Sequence, residues 1–151
     1  MKTFYFFASL CIVLFFLSTM NFAQDINVHY YIGKKTSDVI KKFGNPVHQD
    51  NSNPSMQCMF YKNSSGNMIF VSDEAGIYQA ESTTSYNKQS DARSSIGSFI
   101  SGSVSEGFSV DTLSTSEFDL KKAGVKVNLQ VFENKSSQKF DIRVKANRTA
   151  Q

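Results

Sequence analysis

Residues able to carry chemistry are scarce in this chain. Among 151 residues there are two histidines, His29 and His48, and two cysteines, Cys11 and Cys58. Cys11 lies inside an N-terminal apolar run, so removal of that run leaves Cys58 alone. A lone cysteine cannot close an internal disulfide, and the core must hold the domain without covalent staples. His29, His48 and Cys58 show no recognised zinc-ligand spacing, so no metal is expected. The formal net charge is only +3 and the basic residues are scattered, which argues against a nucleic-acid partner. No phosphate-cradling glycine loop, dinucleotide fingerprint or G-x-S-x-G elbow occurs, and no cofactor is expected.

Long apolar runs are scarce as well. The single one, Phe4 to Leu17, is 14 residues long, short of the roughly 18 to 20 that span a bilayer. With Lys2 before it and Asn21-Phe22-Ala23 ahead of Gln24, it reads as an export signal over residues 1–23, cut at or beside Ala23. An uncleaved anchor would call for a basic stop-transfer cluster, which does not follow. A lipoprotein would need a small residue before Cys11, where Leu10 stands. The mature chain is thus expected in the periplasm or the medium, without stable membrane insertion. It retains 128 residues, enough for one domain with a core and too few for two.

Along that chain, residues 24–32 read as a lead-in and 33–148 as a single domain. Gly33 to Pro46 reads as a short helix. Thr36 or Ser37 can cap it, Val39, Ile40 and Phe43 form its apolar stripe, and Gly44 and Pro46 end it. Val47–Ser55 reads as a polar loop. Strands are expected over 57–62, 67–72 and 77–84, with glycine-bearing turns between them. A weaker helix over 90–107 aligns Ala92, Ile96, Phe99, Ile100 and Val104, and Gly97 and Gly102 would let it sit closely on a sheet. The C-terminal third alternates. Phe118 and Leu120, then Val125 to Val131, then Phe140 to Ala146 place apolar residues on one face of an antiparallel meander. The expected fold is α+β in the order α-βββ-α-βββ, with two helices on one sheet face and a twofold echo in element order.

The segment Ile32-Gly33-Lys34-Lys35-Thr36-Ser37-Asp38-Val39-Ile40-Lys41-Lys42-Phe43-Gly44-Asn45-Pro46, with Tyr61 in the next strand, resembles the SmpA/OmlA (BamE-like) family. That resemblance covers about residues 32–61. It implies an exported α+β envelope protein, in a family whose best-known members assist outer-membrane β-barrel assembly. It also implies an architecture related to that of the β-lactamase inhibitor proteins, which bind by a sheet face. Lys34 departs from the pattern, where an apolar residue is usual, and no lipid-bearing cysteine opens the mature chain.

Catalytic constellations are hard to assemble. His48, Asp50 and Cys58 offer base, orienter and nucleophile types. However, His48 and Asp50 fall in a polar loop, while Cys58 alternates with Phe60 as a small buried residue would. Asp73-Glu74 reads as a solvated hairpin tip. Some of the tyrosines could anchor an interface. The preferred binding surface is the polar face of the last meander: Lys126, Asn128, Gln130, Phe132, Arg143 and Lys145. Phe132 is the aromatic out of pattern there. These readings lead to a non-enzymatic binding or accessory domain of the bacterial envelope, with another envelope or extracellular protein as its partner. The alternative is a secreted inhibitor or effector.

Overall fold

The computed structural model describes residues 26–150, and the expected signal segment 1–23 lies outside them. The elements are a 3-10 turn (Val28–Tyr31), α1 (Thr36–Phe43), β1 (His48–Asp50), β2 (Gln57–Asn63), β3 (Gly66–Asp73), β4 (Gly76–Tyr86), α2 (Gln89–Ser105), β5 (Ser109–Ser114), β6 (Glu117–Lys122), β7 (Val125–Asn134) and β8 (Lys139–Arg148). The strands form one antiparallel sheet in the order β1-β2-β3-β4-β8-β7-β6-β5. Each half is a helix followed by a four-stranded meander, and the last strands of the halves, β4 and β8, pair at the centre. The fold is α+β with both helices on one face, as expected. Two strands are additional: β1 lies within the expected polar loop, and β5 follows the second helix.

Strand alternation explains the core. Phe70 lies opposite Ala80, Ala80 opposite Ala146, and Ala146 opposite Val127, so one row of side chains crosses four strands beneath the helices. Ile142, Val144, Leu129 and Leu120 extend the same face, and all are fully buried. α1 buries Val39 and Phe43. The Phe43 ring meets Tyr31, Tyr61 and Phe70 at centroid distances of 5.5, 5.9 and 6.0 Å.

The ends of α1 differ in part from expectation. Neither Thr36 nor Ser37 caps it; the cap position is Lys35, whose N–H donates to Asp38 Oδ2 at 3.2 Å. Asp38 reaches back from the first turn and occupies the role expected of a hydroxyl. At the other end Gly44 takes φ 76° and donates to Ile40 O at 2.8 Å, while its carbonyl accepts the Tyr61 hydroxyl at 3.0 Å. A left-handed residue here turns the chain towards β1.

In α2 the buried residues are Ala92, Ile96, Phe99 and Ser103, whereas Val104 is exposed. Its glycines do not bring it close to the sheet. A Cβ on Gly97 would meet nothing within 4 Å, and one on Gly102 only the Tyr30 hydroxyl at 3.8 Å. The helix is held instead by its apolar stripe and by a hydrogen bond shared between Tyr86 Oη and Ser95 Oγ at 2.8 Å.

The lead-in belongs to the core. Ile26, Val28 and His29 are buried, and His29 lies edge-on to Phe99 and Phe108. Gly33 N–H donates to Ile77 O at 2.7 Å, and Ile77 N–H to Lys34 O at 2.9 Å, so this segment is stitched to the start of β4. The approach is close enough that a Cβ on Gly76, at φ 110°, would stand 2.8 Å from Lys34 O.

Candidate functional site

The helices cover one face of the sheet and leave the other open. Because side chains alternate, the same strands that fill the core present Lys126, Asn128, Gln130 and Phe132 from β7, and Arg143 and Lys145 from β8, on the open face. Register brings them together: Asn128 lies opposite Lys145, Gln130 opposite Arg143, and Phe132 opposite Asp141. All six residues expected to share a surface do share one.

Most of their polar capacity is used inside the protein. Lys126 pairs with Asp119 at 3.1 Å and Lys145 with Glu81 at 3.0 Å. Asn128 Nδ2 donates to Glu117 Oε1 and Asp119 Oδ1, at 3.1 and 3.0 Å, and Gln130 Nε2 donates to Glu117 Oε1 at 2.9 Å. These donors hold both carboxyls below the usual range. Glu117 is lowered chiefly by Gln130 and then Asn128, and Asp119 chiefly by Asn128. Arg143 is different: its guanidinium carbon lies 5.2 Å from the centroid of the exposed Phe132 ring, and it forms no ion pair among the described residues. Phe132 and Arg143 are therefore the pair left to meet something else.

The open face has an apolar half as well. Cys58 lies opposite Val71, and Phe60 opposite Ile69, all half-buried on β2 and β3. Asp50 and His48 on β1 lie opposite Cys58 and Phe60. The three residue types of the candidate triad thus gather on one edge. Burial, followed by the charge of Asp50, pushes the Cys58 thiol up, and a nucleophilic cysteine needs the reverse. Among the described residues no group of three His, Cys, Asp or Glu side chains could hold a metal ion.

Two features lay outside the sequence reading. Asp73 is not a free turn carboxylate. Arg148, from the end of β8, pairs with it through both guanidinium nitrogens, the Nη1 contact being 3.3 Å, and this hydrogen bonding holds Asp73 below the ordinary carboxylate range. Arg148 also lies over the Tyr78 ring, at 5.9 Å. The residues are 75 positions apart, so only tertiary pairing reveals the contact. The second feature is a depression of about 200 Å³ where α2 begins. Val131, Phe132 and Phe140 form its apolar wall, and Gln89, Arg93 and Ser116 part of its polar rim. A helix-surface arginine carries no signal in the sequence that would link it to Phe132.

No protein-family model matches this chain, and no curated protein matches its sequence. It is similar in structure to a cysteine-rich secretory protein from Staphylococcus aureus, at 12% identity and a TM-score of 0.45, over 80% of this chain and 45% of that one. It is also similar to an extracellular protein containing an SCP domain from Bacillus anthracis, at 11% identity and a TM-score of 0.43, over 81% of this chain and 46% of that one. The chain spans less than half the length of each. The expected SmpA/OmlA membership is corrected by these findings. No family model supports it, and no curated sequence does. The segment behind the resemblance is sound local structure: Gly44 stops α1 and Tyr61 binds its carbonyl. Helix punctuation of that kind is a general chain-reversal device and does not define a family. Among the described residues no helix is long and apolar enough to cross a membrane.

Proposed function

We propose that this chain is an exported, non-enzymatic domain that binds another protein outside the cytoplasm through the open face of its sheet. The observation that carries the reading is the exposed Phe132–Arg143 pair on an uncovered face where its neighbours Lys126, Asn128, Gln130 and Lys145 are already partnered. Aromatic residues and arginine are enriched at interface centres, and satisfied neighbours suit the surrounding rim. A secreted protein with an extracellular target is favoured over an envelope accessory. Cys58, the cysteine outside the signal segment, is held within β2 and cannot act as an N-terminal lipid anchor.

The test is site-specific photo-crosslinking in the native host, with the reactive group at Gln130 on the open face and, in a second variant, at Ser94 on α2. Fractionation of the culture shows where the product resides. A discrete adduct from Gln130 alone, lost on Arg143→Glu, supports the reading. An adduct from Ser94 alone would sink it.

A further inference from the structure

The sheet ends in two edge strands of different character, β1 and β5. β1 has three residues and is flanked by Pro46 and Pro54; short length and proline both blunt an edge. β5 has six residues, Ser-Val-Asp-Thr-Leu-Ser, with neither proline nor lysine. Its pairing to β6 is regular from Ser109 to Thr112, and the shift comes only after Thr112. Leu113 falls at that shift, has no counterpart on β6 and is 52% exposed.

The hydrogen-bond phase of the sheet shows which backbone groups of β5 are unused. Val131 N–H donates to Ser116 O, continuing the β6–β7 register in which Glu117 faces Gln130. Antiparallel bonding alternates, so even-numbered residues of β6 bond towards β7 and odd-numbered ones towards β5. Lys121 and Asp119 therefore bond Ser109 and Asp111, and Val110 and Thr112 turn both N–H and C=O away from the sheet. Those groups have no partner among the described residues. Asp111 lies on the open face, in the row Asp111–Asp119–Asn128–Lys145. Asp119 is engaged by Asn128 and Lys126, whereas Asp111 has a like charge opposite it and no ion pair among the described residues. Val110 heads a row on the helix-covered face, Val110–Leu120–Val127–Ala146, and packs against the core.

We propose that β5 is the docking edge for an extended segment of another protein, which adds antiparallel as a ninth strand and places a lysine or arginine opposite Asp111, between two apolar residues. The inference is independent of the Phe132–Arg143 reading and names a second contact. Main-chain bonds to Val110 and Thr112 supply affinity, and alternating side chains supply specificity. With those two residues bonded, Asp111 falls at a non-hydrogen-bonded position, where facing side chains come closest. A cation there meets an unpaired carboxylate and offsets its repulsion from Asp119. The residues on either side of the cation point to the opposite face, where apolar side chains beside Val110 and Thr112 continue the core. A second copy of β5 cannot supply the cation, since Ser109–Ser114 contains no basic residue.

The probe is the synthetic peptide acetyl-Gly-Thr-Val-Arg-Val-Thr-Gly-amide, titrated into the isotope-labelled protein and followed by amide NMR. Shifts should gather on β5 and β6, and the Val110 and Thr112 amides should gain protection from hydrogen exchange. Affinity should fall about tenfold when glutamate replaces the arginine. N-methylation of both peptide valines, which removes the donors to β5, should abolish binding. Thr112→Pro removes an outward N–H without touching the bonds to β6 and should weaken binding as well. Asp111→Lys, an exposed change that leaves the backbone intact, should reverse the preference in favour of the glutamate peptide. No shifts at millimolar peptide, equal binding of the glutamate peptide to the unaltered protein, or undiminished binding after N-methylation would each overturn the proposal. So would a dimer, seen by sedimentation, that Thr112→Pro dissolves while the peptide produces no shifts, because the occupant would then be a second copy. Loss of the Gln130 adduct removes the open-face reading alone, and failure of the peptide removes this inference alone.

Discussion

Phe43 shows how much one side chain does in a domain without disulfides. Its ring joins α1 to Tyr31, Tyr61 and Phe70, which come from three other segments. Phe43→Ala should cost about 3 to 5 kcal/mol, read from urea unfolding. A change under about 1 kcal/mol would mean that the ring does not anchor the helix. Gly97 gives the opposite sign. It is exposed in the middle of α2, and a Cβ there would touch nothing within 4 Å. Gly97→Ala should therefore stabilise by about 0.5 to 1 kcal/mol, mainly by restricting the unfolded chain. A raised melting temperature checks it. The placement of Phe43 was legible from its spacing to Val39 and its distance before Gly44. Gly97 was misread, because a sequence does not show which side of a helix faces the sheet when serines populate both.

At the scale of elements, strands that bury one face were readable and strands at the edges were not. β7 and β8 alternate apolar and polar residues because one face packs on the core. β1 is exposed throughout, and β5 nearly so, with its pairing to β6 shifted between Thr112 and Ser114. Such edge strands form because a neighbour supplies hydrogen bonds, and their composition leaves no periodic trace. The lead-in was hidden for a related reason: nine residues are too few to display a period, although Val28 and His29 lie in the core. Deleting residues 24–32 should therefore abolish cooperative unfolding, observable as a lost near-ultraviolet signal. A sharp, nearly unchanged transition would show that the segment is dispensable.

Across the whole molecule, ion pairs and amide ladders fasten distant strands. Asp73 is held below its ordinary value of 3.8 by Arg148, Glu117 by Gln130 and Asn128, and Asp119 by Asn128 and Lys126. A carboxyl whose folded pKa lies below its unfolded one stabilises the fold above the unfolded pKa. That contribution is lost as pH falls through the folded value. Stability should thus hold from neutrality down to about pH 4 and decline further into acid. Arg148→Gln should flatten part of that decline, since Asp73 would lose the largest cause of its lowering. Equal slopes in both proteins, from urea midpoints across acid pH, would remove Asp73 from the account.

Local order was within reach of the sequence. The α1 stop at Gly44, the hairpins on either side of β3 and the two-faced alternation of β7 and β8 depend on residues a few positions apart, whose steric and hydrophobic preferences act directly on neighbouring backbone. The surface of Lys126, Asn128, Gln130, Phe132, Arg143 and Lys145 was legible for the same reason, because a period of two assigns faces. Only tertiary structure decided that β4 and β8 meet at the centre, that Arg148 reaches Asp73, and that Arg93 shares a depression with Phe132. Those contacts join residues far apart in the chain. Their energies arise from burial and charge pairing, which exist only once the sheet has closed around its core.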